Sequence, residues 1–199
     1  KEFDMFCREN SIRYWPGSGT LLGAYLYHGM IPWDDDVDVF ITRPDLIRLQ
    51  QLLVHSDRFR VTIVWDWFVP CKQIRFRLID NNNPVFIDLF PLDLVRGDPI
   101  EADIKSRQQR VHFVNDIRAM FSETSWPKLV YLYDESDLTT EIEDLLQRHQ
   151  EVLASKIHFA NSELDATCLA RGLENIDEIH PSGPYPINEW IPTSDMEYE

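Results

Sequence analysis

Four carboxylates in five positions, Asp34, Asp35, Asp36 and Asp38, are wedged between the apolar runs Ile31-Pro32-Trp33 and Val39-Phe40-Ile41. Ionised carboxylates this close repel one another unless a cation neutralises them. A merely solvated acidic turn would have polar flanks. The pattern points instead to a strand that holds a metal at one end. Alternation over residues 36–41 places Asp36 and Asp38 on one face and Val37 and Val39 on the other. Asp34 joins the first face only if the strand extends backwards, and Asp35 points away. Acids two positions apart on a strand are separated by roughly 7 Å at their Cα atoms, so their oxygens can converge on one or two divalent cations. Asp34, Asp36 and Asp38 also match the opening of a calcium EF-loop. Val39, however, stands where that loop needs glycine and Asp45 where it needs glutamate, which excludes it.

Upstream, Ile12-Arg13-Tyr14-Trp15 reads as a short strand ended by Pro16-Gly17. Ser18 or Gly19 then starts a helix through Leu26, which His28-Gly29 ends. A strand, a small-residue loop and a helix N-terminus in that order form an anion-binding arrangement, because free N–H groups and the helix dipole face the ligand together. Ser18, Gly19 and Thr20 are the candidate phosphate-holding residues. The plainer alternative is an N-cap beside a packing glycine. The phosphate-loop motif GxxxxGK[ST] is absent from the chain.

Downstream, residues 42–54 read as a helix with Pro44 near its start and Leu46, Ile47, Leu49, Leu52 and Leu53 as its apolar stripe. Residues 59–68 are β-rich. Ile74, Phe76 and Leu78 alternate with Arg75 and Arg77 as a half-polar strand, and a turn over 80–84 returns the chain through 85–90. Asp88, a single acid in that second strand, is the candidate third metal ligand, whereas Asp93 reads as a turn or cap acid. Residues 100–121 form an amphipathic helix (Ile104, Val111, Phe113, Val114, Ile117, Met120). After a break at Trp126-Pro127, a second long helix covers residues 139–159 (Ile142, Leu145, Leu146, Val152, Leu153). The proline-bearing tail is extended and irregular. The pattern is α+β, with strands and helices over residues 1–97 and a helical portion of the same domain over 98–199.

Composition narrows the function. A 199-residue chain with 44% hydrophobic and 12% aromatic residues can bury a sizeable core. A net charge of -15 argues against sequence-blind nucleic-acid binding, although a bound metal lets an acidic site accept a phosphorylated substrate. Cys7, Cys71 and Cys168 are odd in number and lack CxxC spacing, so they read as reduced thiols. Neither a signal peptide nor an apolar run of membrane-spanning length occurs. The chain begins inside a helix and stops without a terminating element, which reads as a fragment. No spacing supports a zinc site or a Ser-His-Asp or Cys-His nucleophile.

Taken together, Ile12-Arg13-Tyr14-Trp15, GSGTLLGA (17–24), GMIPWDDDVDV (29–39) and FIDLFPLD (86–93) resemble the LicD family. That family groups bacterial phosphorylcholine transferases with fukutin and fukutin-related protein. The resemblance implies a nucleotidyltransferase-like fold, a mixed β-sheet flanked by helices, and transfer of a phosphorylated alcohol from a CDP-alcohol donor (CDP-choline-like). The acceptor would be a sugar hydroxyl of a cell-surface glycan or sugar-phosphate. With Mg²⁺ (or Mn²⁺) as cofactor, Asp36, Asp38 and Asp88 would be both catalytic residues and metal ligands. Ser18, Gly19, Thr20, Asp34 and Arg75 would form the substrate and phosphate site. Family members commonly carry an arginine where this chain has Leu26, and Arg75 or Arg77 is the candidate to replace its contact. The expected compartment is the cytoplasm for a bacterial protein, the favoured case, and the Golgi lumen for an animal one. The alternatives are a glycosyltransferase, whose acids usually end a hydrophobic strand rather than precede it, and a catalytically degenerate binding module.

Overall fold

The computed structural model describes residues 1–66, 70–80, 83, 85–120, 139–175 and 185–186. In chain order its elements are α1 (Glu2–Glu9), β1 (Tyr14–Pro16), α2 (Ser18–Tyr27), β2 (Asp38–Thr42), α3 (Arg43–Leu53), β3 (Phe59–Asp66), β4 (Cys71–Leu78), β5 (Phe86–Arg96), α4 (Pro99–Met120), α5 (Thr139–Ala154), β6 (His158–Phe159), β7 (Cys168–Arg171) and β8 (Tyr185–Pro186). Strands and helices form the expected α+β arrangement, with a mixed sheet ordered β1-β2-β5-β4-β3 along its main path. The described residues divide into two compact units, one drawn from residues 1–62 and 74–92, the other from residues 63–73 and 93–186. Among the described residues, no helix is long and apolar enough to cross a membrane.

In the first unit β2 runs parallel to β5, with Asp38 opposite Asp88 and Phe40 opposite Phe90. β1 pairs antiparallel with β2, placing Trp15 against Phe40. β4 and β5 form the anticipated hairpin, with Arg75 opposite Asp88; residues 81, 82 and 84 of its turn lie outside the described residues. Ile41, Leu46, Leu49, Ile74, Phe76 and Leu89 are buried together as the core of this unit. Phe3 of α1 packs edge-on to Tyr14 and Phe76, with ring centroids 4.8 and 4.9 Å apart. Beside it Cys7 is fully buried, and that burial, reinforced by Asp4 and Asp45, pushes its thiol up to about 12. All three cysteines are free.

Thr42 ends β2 and caps α3, its Oγ1 accepting from the Asp45 N–H at 3.3 Å while Pro44 occupies the first turn. A side-chain cap of this kind satisfies one of the four unpaired N–H groups at a helix start. Thr42→Ala should therefore lower the unfolding free energy by about 0.5–2 kcal/mol, read as a lower urea midpoint at unchanged slope. Leu46, Leu49 and Leu53 face the core as the periodicity predicts, but Ile47 and Leu52 are exposed.

The second unit is built on α4 and α5. Lys105 reaches the Lys156 carbonyl, and Asp116 reaches His149, so the pairs run in opposite directions and the helices are antiparallel. Phe113, Ile117, Ile142, Leu146, Val95, Cys168 and Leu173 form its core. The apolar stripe read from the α4 sequence is partly wrong: Ile104, Val111 and Met120 are exposed. The buried face carries Ala102, Ser106, Gln109, Arg110, Phe113, Val114 and Ile117 instead. Polar members are accommodated because they find partners. Arg110 donates to the Pro70 carbonyl, and Gln109 bonds both Lys156 and His149. Since the Lys156 ammonium can only donate, it claims the Gln109 Oε1. The amide N–H therefore donates to His149 Nδ1, and the imidazole proton sits on Nε2 toward Asp116, 3.0 Å away.

Other expectations change here. β5 does not stop at Phe90 but continues to Arg96, and Asp93 lies within it rather than in a turn. The buried Leu92, Leu94 and Val95 carry the strand past Pro91. The second long helix ends at Ala154, and three short strands (β6, β7, β8) were not anticipated. Val95 pairs with Phe159, and the Thr167 N–H donates to the Val95 carbonyl at 2.8 Å. The Trp126-Pro127 break and nearly all of the proline-bearing tail lie outside the described residues.

Candidate metal and phosphate site

β2 starts at Asp38, two residues later than the alternation predicts. Residues 31–34 form a turn closed by the Asp34 N–H on the Ile31 carbonyl at 3.0 Å. Asp36 is thus not on the strand. Even so, the Val37 carbonyl still accepts from the Asp88 N–H at 2.9 Å, so the parallel pairing reaches one residue beyond β2 and fixes Asp36 beside it. Each of Asp36, Asp38 and Asp88 offers a carboxylate oxygen within 4.8 Å of the others. Asp34, Asp35 and Asp36 form a second such group, so Asp35, expected to point away, shares a cluster through Asp36. Burial first, then the charges of Asp34, Asp88 and Asp35 and a hydrogen bond with Asp34, hold the Asp36 carboxyl above its ordinary range.

The small-residue loop is tied to these acids through the backbone of Asp38. Its N–H donates to Thr20 Oγ1 at 2.8 Å, and its carbonyl accepts from the Gly17 N–H at 2.9 Å. Thr20 so used retains its own O–H as a donor. Ser18, exposed, opens α2 at a left-handed φ of 42°. Gly19 lies close to Asp34: a Cβ there would lie 2.7 Å from Asp34 Oδ2, so the carboxylate would have to shift. The Asp34 carboxylate thus abuts the first turn of α2, where the helix dipole favours negative charge.

Arg75 and Arg77 sit on a strand whose alternation suggests a polar face, yet both are buried. Arg75 Nε lies 3.0 Å from Asp88 Oδ1, and its guanidinium stacks 4.0 Å from the Phe86 ring centroid. Cross-strand register explains the pair, because Arg75 is directly opposite Asp88. A sequence reading that fixed the hairpin register could have found it. Arg77 donates to the Asn83 carbonyl. Leu26, at the position of the family's arginine, is exposed on α2.

The donor set fits a hard divalent cation. Among the described residues the donors are all carboxylate oxygens, the ligand type that hard divalent cations favour. The two groups gather five acids, Asp34, Asp35, Asp36, Asp38 and Asp88, and Arg75 pairs with the last of them. The acidic excess is what a bound cation would balance.

Comparison with known proteins bears on this geometry. An uncharacterised protein of Rickettsia prowazekii is 45% identical over 58 residues, covering 29% of this chain and 22% of its own. The lipopolysaccharide cholinephosphotransferase LicD of Haemophilus influenzae is 28% identical over 109 residues, 49% of this chain and 41% of LicD. The ribitol 5-phosphate transferase FKRP of Mus musculus is 34% identical over 87 residues, 40% of this chain and 17% of FKRP. The chain therefore spans well under half the length of each of these relatives. No solved structure matches. Residues 11–119, more than half the chain, match the family described as LicD/FKTN/FKRP, nucleotidyltransferase domain, and they contain the glycine loop, the acids and Arg75. The chain belongs to the LicD/FKTN/FKRP family, and its acidic triad and glycine loop lie within that family's nucleotidyltransferase domain.

Proposed function

We propose that this chain transfers a phosphorylated alcohol from a CDP-alcohol donor, CDP-choline-like, to a sugar hydroxyl of a glycan or sugar-phosphate acceptor. The observation that carries the reading is the joining of an acidic triad to a phosphate-type loop through one residue, Asp38. Asp36, Asp38 and Asp88 hold Mg²⁺ or Mn²⁺. When bound, the cation supplies positive charge at the donor phosphates and the leaving nucleotide. Ser18, Gly19 and Thr20 hold phosphate oxygens through backbone N–H groups and hydroxyls at the start of α2. Arg75 balances and orients Asp88 and belongs to the substrate and phosphate site. Asp88 or Asp34 takes the acceptor proton. Residues 1–97 act as the catalytic core and residues 98–199 as the helical part of the same domain. LicD and FKRP are named for the transfer of choline phosphate and ribitol 5-phosphate, and both motivate an alcohol-phosphate donor here.

Calorimetric titration should show Mg²⁺ binding followed by CDP-choline binding that requires it. A screen of CDP-alcohols against UDP- and GDP-sugars should give turnover with the former. Turnover with a nucleotide sugar alone would make the chain a glycosyltransferase. Heat from neither Mg²⁺ nor nucleotide would make it a binding module.

A further inference from the structure

Between Arg13 and Asp34 the chain carries no Asp, Glu, Lys or Arg. In a protein with 27% charged residues, some five would be expected in a stretch of this length. The stretch is nevertheless not buried. Of α2 only Gly23 is buried, and Trp33 is 78% exposed. Leaving an indole in water forgoes the stabilisation that a buried large apolar side chain contributes. Trp33 is also held in position. The loop after α2 folds back against it so tightly that a Cβ on Gly23 would lie 2.6 Å from the Gly29 carbonyl and 2.9 Å from the Ile31 nitrogen. The indole then meets the Tyr27 ring edge-to-face, centroids 6.0 Å apart and planes at 80°. Directly after Trp33 comes Asp34, whose carboxylate abuts Gly19 in the first turn of α2.

We propose that Trp33, braced by Tyr27, is the stacking platform for the nucleobase of the nucleoside diphosphate donor. The proposal rests on the phosphate and metal reading of the adjoining site. A ligand part lying on Trp33 while its phosphates sit at the start of α2 must be tethered to those phosphates and present a flat, uncharged face. A nucleobase does both, and stacking on an aromatic ring is tolerant of which base it is. Trp33 would then set nucleotide affinity without touching the transferred group, and selection among bases would come from other residues.

The test uses the full chain in saturating Mg²⁺, with CDP, UDP and inorganic pyrophosphate as probes in calorimetry. Trp33→Ala should weaken CDP and UDP alike by about tenfold or more and leave pyrophosphate within twofold. Trp33→Phe should recover most of the loss, and Tyr27→Leu should give an intermediate one. Thermal melts should be unchanged, since the side chain is exposed. Equal losses for CDP and pyrophosphate would overturn the proposal by showing that Trp33 only shapes the phosphate site. No loss for CDP would overturn it too, as would a loss seen with CDP-choline but not CDP, which would place the alcohol on the ring. If the wild-type chain binds neither pyrophosphate nor CDP, the metal and phosphate reading fails and this proposal falls with it.

Discussion

Asp36→Asn and Asp38→Asn should each abolish transfer while the protein stays folded. The loss should exceed the ~10–100-fold typical of disturbing a metal site's outer hydrogen bonds, because each change removes a proposed ligand. The fold should survive for a reason visible in the site. Asp36 is held above its ordinary carboxyl range by burial and by its acidic neighbours, so in metal-free protein its charge works against the folded state. Removing that charge should leave the metal-free melting temperature unchanged or raised, and should abolish the shift that Mg²⁺ gives the wild type. Parallel melts with and without Mg²⁺, alongside a transfer assay, check both halves. Normal activity in both variants would sink the assignment of these acids, and unfolding would sink the argument that the Asp36 charge works against the metal-free fold.

Arg75→Met should destabilise the metal-free protein by about 3–5 kcal/mol, the usual cost of stripping one partner from a buried ion pair. Arg75 and Asp88 are each nine-tenths buried at the side chain and 3.0 Å apart. Asp88 without the guanidinium keeps the acids Asp36 and Asp38 close beside it. Added Mg²⁺ should therefore restore part of the loss, since a ligand that binds only the folded state stabilises it by mass action. The double variant Arg75→Met, Asp88→Leu should be nearly neutral in stability, because replacing both partners of a buried pair by apolar groups often is. Urea unfolding with and without Mg²⁺ reads all three. A single variant as stable as the wild type would mean that the guanidinium serves the substrate and not Asp88.

The site was legible in sequence where chemistry is local. Acids between apolar runs, a small-residue loop before a helix and a lone acid in an apolar strand all announce themselves over a few residues. Asp36, Asp38 and Asp88 do lie together, although Asp36 reaches the cluster from the irregular stretch preceding β2 and not by strand alternation. What depends on distant partners was misread. Arg75 and Arg77 look solvent-facing until the register with β5 is known. In α4 the buried face includes Gln109 and Arg110, whose partners His149, Lys156 and Pro70 are far along the chain. Hydrophobic periodicity cannot see a polar side chain satisfied by a remote carbonyl. The extension of β5 past Pro91 was missed for a related reason: proline signals a strand end only where the ladder needs its N–H.

The parallel pairing of β2 with β5 sets Asp38 beside Asp88 across about fifty positions of chain. A contact of that range costs loop-closure entropy before it returns anything, so it should form late in folding. Partly folded molecules will hold the glycine loop and the first acids, which are close in sequence, without the third. Metal affinity thereby becomes a report on completed tertiary structure. A cation that binds the full triad selects finished molecules and slows their unfolding, linking catalytic competence to resistance against proteolysis through the same three oxygens.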